Sequence, residues 1–136
     1  MEDEINEATA ALATALERGD VAAACALYAD GARLLAPSAT RIEGRAEIAE
    51  YWRAGLDLGL SGLAFECRVL EKIAGVLELG RYVLSVQSAS ATPSVEHGSY
   101  LVLHAQTDEG SWQRAVEVFN PDEPRQARRT LGKGNP

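Results

Sequence analysis

At 136 residues with a formal net charge of −7, the chain has the length of one domain, enough to bury about two-thirds of its unfolded surface. The acidic balance argues against nucleic acid as partner, because phosphate binding needs a basic surface. Met1-Glu2-Asp3-Glu4 is no secretory signal, and no apolar run approaches the ~18 residues of a membrane span, so a soluble cytoplasmic protein without membrane partners is expected.

Residues 2 to 18 predict a helix. Ile5, Ala8, Leu12 and Leu16 recur at three- and four-residue steps, acids crowd the first turn, and Gly19 stops it. Asp20 is a good N-cap for a second helix in which Val21, Ala24, Cys25 and Tyr28 line one face up to Asp30-Gly31. A short strand, Arg33 to Ala36, runs into Pro37, and a brief extended piece at Arg41-Ile42 reaches Gly44. A third helix, Arg45 to Leu58, carries Ile48, Trp52 and Leu56 on one stripe.

After Gly59 and Gly62 the chain reads as strand. Leu63, Phe65, Cys67, Val69 and Ile73 alternate with Glu66, Arg68 and Lys72 as in a half-buried strand. Ala74-Gly75 turns into a strand from Val76 to Ser88, and a loop from Ala89 to Val95 leads to a closing hairpin, Tyr100 to Asn120, around Asp108-Glu109-Gly110. In its second arm Ala115, Glu117 and Phe119 share a face by strict alternation, so Glu117 is either a solvent-side residue or a pocket acid. Cys25 and Cys67 fall on apolar registers and read as buried free thiols, with no zinc pattern around them. The domain spans 1–120, and 121–136, with prolines, glycines and basic residues, reads as a mobile tail.

Three helices followed by long antiparallel strands give an α+β order. The expectation is a strongly curved, mostly antiparallel sheet wrapped on three N-terminal helices, cone-shaped with an internal pocket.

Several segments in this order resemble the nuclear-transport-factor-2-like superfamily, in its SnoaL-like, ketosteroid-isomerase-like branch. They are Gly19-Asp20, Tyr28 to Ala32, Leu34 to Pro37, Ile42 to Arg45 with Ile48 and Trp52, and Glu78-x-Gly80-x-Tyr82. His97 to Val102, Gly110 to Trp112 and Glu117 to Asn120 complete the set, over roughly residues 6 to 120. The resemblance implies a homodimer through the outer sheet face and a pocket between sheet and helices. It also carries two departures. The steroid isomerases' base aspartate and helix-borne tyrosine fall at Ala36 and Leu12, and neither side chain can move a proton or donate a hydrogen bond. Steroid isomerisation by that route is not expected. SnoaL-like cyclases carry an acid on the last strand, where Glu117 stands.

Glu117 is thus a candidate general acid/base poised by apolar walls, or else a surface glutamate paired across strands. His104, on the register of Tyr100 and Val102, could shuttle protons with Glu117 if the strands set them opposite, or be structural. Glu78 and Tyr82 share a strand face and could add polar groups to a pocket; the alternative is Glu78 paired with Arg81 or Arg114 in solvent. Tyr28, Trp52 and Phe119 are core or pocket wall, Tyr100 a hydrogen-bonding partner, and Asn120 a strand cap or ligand contact. No phosphate loop, Gly-x-Ser-x-Gly elbow or Cys/His nucleophile pair is present.

The leading expectation is a small-molecule pocket enzyme, free of metal and cofactor, doing isomerase, cyclase or hydratase chemistry on a mainly apolar substrate with Glu117 and His104 catalytic. A non-catalytic ligand-binding or dimerisation module is the alternative. Epoxide hydrolysis by Glu78, Arg81 or Arg114, and Glu117 is a remoter one, because alternation puts Arg81 on the face opposite Glu78.

Overall fold

The computed structural model describes residues 1–37, 41–73, 75–87 and 92–123. Through them run α1 (Glu2–Glu17), α2 (Val21–Cys25), β1 (Tyr28–Leu35), β2 (Ile42–Glu43), α3 (Arg45–Asp57), β3 (Leu60–Lys72), β4 (Val76–Val86), β5 (Ser94–Gln106) and β6 (Trp112–Pro121). The expected tail beyond 123, Ala74 of the predicted turn, the predicted strand end at Ser88 and 89–91 of the predicted loop lie outside the described residues.

The α1 stripe of Ile5, Thr9, Leu12 and Leu16 is buried, and Glu2, Asp3 and Glu4 complement its N-terminal dipole. Asp20 caps α2 as expected, its carboxylate accepting from the Ala23 N–H at 3.0 Å. The helix is shorter than the apolar spacing suggested. It ends at Cys25, and Tyr28 opens β1 instead of closing a helical stripe. Parallel pairing decides this: Tyr28 stands opposite Arg114 of β6, and the Arg114 N–H donates to the Leu27 carbonyl at 2.8 Å. Spacings of 21, 24, 25 and 28 point Tyr28 inward in either conformation, so periodicity alone could not separate them.

The six strands form one open sheet in the order β2-β1-β6-β5-β4-β3. The β1–β6 pair is parallel and the other pairs are antiparallel. With the helices on one face, this is the cone-shaped α+β fold. Val76, Glu78, Gly80, Tyr82 and Leu84 of β4, and Glu96, Gly98, Tyr100, Val102 and His104 of β5, point inward in clean alternation. Ser94 and Val95, read as loop, are already strand.

Two expectations on β3 fail. Cys67 is exposed, a free thiol but not a buried one, and Val69 and Ile73 are exposed with it. The register break between Cys67 and Val69 turns Val69 onto the outer face opposite Leu79, whereas Cys67 keeps the inward register opposite Gly80 and is exposed where it lines an opening beside α1. Cys25 is a buried free thiol as read.

Two glycines let the inner aromatic row form. Gly80 pairs with Tyr100, and Gly98 pairs with Tyr82. A Cβ on Gly80 would lie 2.2 Å from the Glu66 carbonyl and 2.7 Å from the Tyr100 ring; one on Gly98 would lie 2.6 Å from the Tyr82 ring. Each tyrosine therefore lies flat over the glycine opposite it, which aims its hydroxyl along the sheet. Phe65, Tyr100, Phe119, Tyr82 and Trp52 pack edge-to-face or stacked at the centre. Among the described residues no helix is long and apolar enough to cross a membrane.

Candidate functional site

Behind the aromatic row lies a buried polar network, and a break in β6 creates it. Leu103 pairs with Val116 but His104 pairs with Arg114, so Ala115 is an extra residue in β6. Strict alternation from Phe119 and Glu117 would put Ala115 inside and Arg114 outside. The bulge reverses this, and Arg114 and Glu117 both point inward, three residues apart. Nothing in the residue types around Ala115 signals the bulge, so the sequence pattern does not show that Arg114 points inward.

Arg114 is 1 % exposed and Glu117 fully buried. The guanidinium donates to Glu117 Oε2 from Nε at 3.0 Å and from Nη2 at 2.8 Å. Glu117 Oε1 accepts from the Tyr28 hydroxyl, which itself accepts from Trp52 Nε1 at 3.2 Å. Arg114 Nη1 donates to Thr9 Oγ1 at 3.2 Å, and Thr9 in turn donates to Glu78 Oε1 at 2.9 Å. One hydroxyl on α1 thus bridges two charged groups of the sheet. Arg114 also lies 5.6 Å from the centre of the Phe65 ring.

Glu78 holds the other end. Its Oε1 also contacts His104 Nε2 at 2.8 Å, and its Oε2 accepts from the Tyr100 hydroxyl. Burial alone would push this carboxyl up, but hydrogen bonds from His104 and Tyr100, the Arg114 charge and the Thr9 hydrogen bond outweigh it. Together they hold Glu78 below the ordinary 4.5. Burial, then the hydrogen bond and charge of Glu78, push the Tyr100 hydroxyl far up. Burial and the neighbouring Glu117 charge do the same to Tyr28. Arg114 is raised as well, since Glu117, Tyr28 and Glu78 outweigh the burial that opposes its charge. At neutral pH the network therefore holds an ionised Glu78, protonated tyrosines and a charged Arg114. Among the described residues His104 Nδ1 is buried without a hydrogen-bond partner.

Glu78 is completely buried and bound within the network, not paired in solvent with Arg81, which sits on the outer face with Asp122 and Ser99. His104 and Glu117 do not stand opposite each other, for Glu117 pairs with Val102. Tyr28, Trp52, Tyr82, Tyr100 and Phe119 are buried around the network, and Tyr82 donates to Glu96 Oε2 at 2.7 Å. Asn120 is exposed, one residue past Phe119 and on the other face. Thr9 and Glu96 are the polar residues that sequence reasoning missed, and Arg114 entered it only as a partner of Glu78 or in the epoxide alternative. Thr9 alone carried a signal, as a polar residue four after Ile5 and three before Leu12 on the buried α1 stripe.

Glu78 and Glu117 are sealed from solvent, but the network comes close to the surface on one side. A groove of about 500 Å³ opens between α1 and β3, lined by Asn6, Thr9, Ala13, Phe65, Glu78 and Tyr100 among others. Glu117 is not among its lining residues. The groove floor is thus a carboxylate with a tyrosine hydroxyl beside it, backed by an imidazole and a threonine.

Removing one partner of a buried, bidentate ion pair strands the other charge and costs about 3–5 kcal/mol. Arg114→Met is expected to lower unfolding free energy by that much in a urea titration. The double variant Arg114→Met/Glu117→Leu is expected to regain much of it, because no buried charge of the pair is then left alone. Additive losses in the double variant would mean that the pair is not coupled as described.

The sequence matches the profile of the SnoaL-like domain over residues 9–120. Among solved structures, a ketosteroid isomerase-like protein from Erwinia carotovora atroseptica has 23% sequence identity and a TM-score of 0.76, over 90% of this chain and 96% of that one. A nuclear transport factor 2-like superfamily protein from Salmonella enterica has 11% identity and a TM-score of 0.76, over 89% of this chain and 90% of that one. Aln2 from a Streptomyces species has 18% identity and a TM-score of 0.77, over 95% and 94%. At these identities the likeness is one of fold. No curated protein matches the sequence.

Proposed function

For a chain that belongs to the SnoaL-like domain family, we propose proton transfer at the carbon next to a carbonyl in a small, mainly apolar substrate, with Glu78 as the base. One observation carries this reading: Glu78 and Tyr100 line the α1–β3 groove, whereas Glu117 has its oxygens taken by Arg114 and Tyr28. Glu117, the acid favoured from sequence, becomes the fixed counter-charge of Arg114. His104 becomes a positioning residue that holds Glu78 Oε1.

The chemistry follows from the hydrogen bonds. A carboxylate held below its ordinary pKa is a weak base. The Tyr100 hydrogen bond is one of the forces that hold it there. A substrate carbonyl entering the groove competes for the Tyr100 hydroxyl, which keeps its proton and so can donate to a developing enolate oxygen. Losing that donor raises the basicity of Glu78 as the substrate arrives. Glu78 Oε2 takes the α-proton, the electron pair of the C–H bond forms the enolate, and the proton returns to another carbon. Return to a different carbon is an isomerisation; attack of the enolate on a second carbonyl is a cyclisation.

The assay is deuterium uptake at the α-carbon of a panel of small apolar ketones, followed by NMR in deuterated water. Wild-type protein is expected to accelerate uptake for at least one ketone. Glu78→Gln should remove the acceleration, and Tyr100→Phe should reduce it about 10²-fold, the scale of one lost oxyanion donor. Full activity in Glu78→Gln would return the role to Glu117. A second reading, water addition to an epoxide, gains from Arg114 lying between Glu78 and Glu117, an acid–guanidinium–acid order. Its mark would be heavy oxygen from labelled water in a diol product.

A homodimer through the outer face draws support from one cross-strand row. Val69, Leu79, Leu101, Val118 and Leu35 stand side by side on five strands of that face. Such a row is an apolar patch that a second copy would cover. Leu101→Lys should convert a dimer into a monomer in sedimentation experiments while leaving the helical circular dichroism unchanged; a monomeric wild type would end this part of the proposal. The free thiols of Cys25 and Cys67 suit the reducing cytoplasm.

A further inference from the structure

The α1–β3 groove has a counterpart at the other end of the interior. A second groove of about 310 Å³ lies between α3, the start of β3, the end of β4 and the start of β5. It shares no lining residue with the first. Its walls are apolar and aromatic: Tyr51, Trp52, Leu58, Leu60, Leu84 and Val95. The exception in charge is Glu96, whose carboxyl is buried at 6 % exposure and accepts the Tyr82 hydroxyl.

Two further observations point to a ligand at this place. Leu58, on the rim, is 74 % exposed, and a ligand seated in the groove would cover it. Gly55 sits on the α3 face between Tyr51 and Leu58, where glycine costs helix stability relative to alanine. Packing does not require it there. A Cβ on Gly55 would make only ordinary contact with Leu60, 3.6 Å from its Cδ2. The missing side chain leaves a notch in the groove wall.

We infer that this groove binds a small hydrophobic amine, a single ring or short alkyl chain bearing an ammonium group. The apolar body would fill the notch at Gly55 between Leu58, Leu84 and Val95. The ammonium would reach Glu96 alongside Tyr51 and Trp52, which pack against each other with ring centres 5.0 Å apart. Aromatic walls with a carboxylate at one end are the chemistry that recognises an organic cation. A volume at the small end of ligand-sized clefts fits a compact molecule. The net charge of −7 adds a long-range attraction for cations.

The test uses the full chain and the pair 2-phenylethylamine and 2-phenylethanol, which differ in the charged group. Calorimetry gives the affinities, and amide chemical shifts locate the site. The amine should bind saturably, shift Gly55, Leu58 and Val95, and bind about tenfold or more tightly than the alcohol, the scale of one charge-assisted hydrogen bond. Glu96→Gln should erase the preference for the amine. Should that variant fail to fold for want of its Tyr82 partner, Gly55→Leu, a good helix former that fills the notch, should abolish binding of both. Equal affinity for the two compounds, no saturable binding, unaltered binding to Gly55→Leu, or shifts confined to Thr9, Glu78 and Tyr100 would each overturn the inference. The last outcome would leave the first groove's chemistry untouched.

Discussion

A guanidinium and two carboxylates inside a small domain are tolerable only if nearly every lone pair and N–H among them is used. Desolvation costs several kcal/mol per ion even after relaxation. Here the demand is met by donors from every layer: Thr9 of α1, Tyr28 of β1, Trp52 of α3, Tyr100 and His104 of β5. The ion pair of Arg114 and Glu117 therefore does more than join two residues of one strand. It fixes where α1 and α3 sit on the sheet, because each helix brings a hydrogen-bonding group that the charges require. Apolar burial drives these helices onto the sheet; the polar network selects one register among the ways they could lie.

The same requirement divides the labour between the two acids. Glu117 is held by two N–H groups of a buried cation and by a tyrosine hydroxyl, and it is not among the residues lining the α1–β3 groove. Glu78 is held by hydroxyls and an imidazole, and it borders a groove. Hydroxyls can be re-aimed by an incoming ligand, whereas a buried arginine cannot leave its partner cheaply. The partners that can be re-aimed thus mark the more adaptable acid. The glycines opposite Tyr82 and Tyr100 belong to this arrangement, since a side chain at either would lift the ring that aims the hydroxyl.

Helix positions, the α+β order and the inward row of β5 were legible because apolar periodicity records burial directly, and Asp20 announced its cap. Tyr28 was misread because an inward aromatic satisfies a helical and a strand period equally. The inward direction of Arg114 was not legible because a bulge is one extra residue in a ladder, and the pairing partner that defines it lies ten residues away in sequence. Glu78 stood open between a pocket group and a solvent residue because its partners come from α1 and β5, remote in the chain. Val69 looked buried because its alternation continued past the place where the β3 register breaks, and Cys67 because its inward register carries no local sign of the groove beside it. Local pattern was readable; register and long-range polar pairing were not.

The dependence of Glu78 on Tyr100 is the claim on which the account turns. It can be read from the carboxyl NMR titration of Glu78 in the wild type and in Tyr100→Phe. The account predicts a wild-type midpoint below the ordinary 4.5, since the folded state favours the charged form. It predicts a midpoint displaced upward when the tyrosine hydroxyl is removed and burial is left less opposed. A wild-type midpoint at or above 4.5, unmoved in Tyr100→Phe, would contradict it.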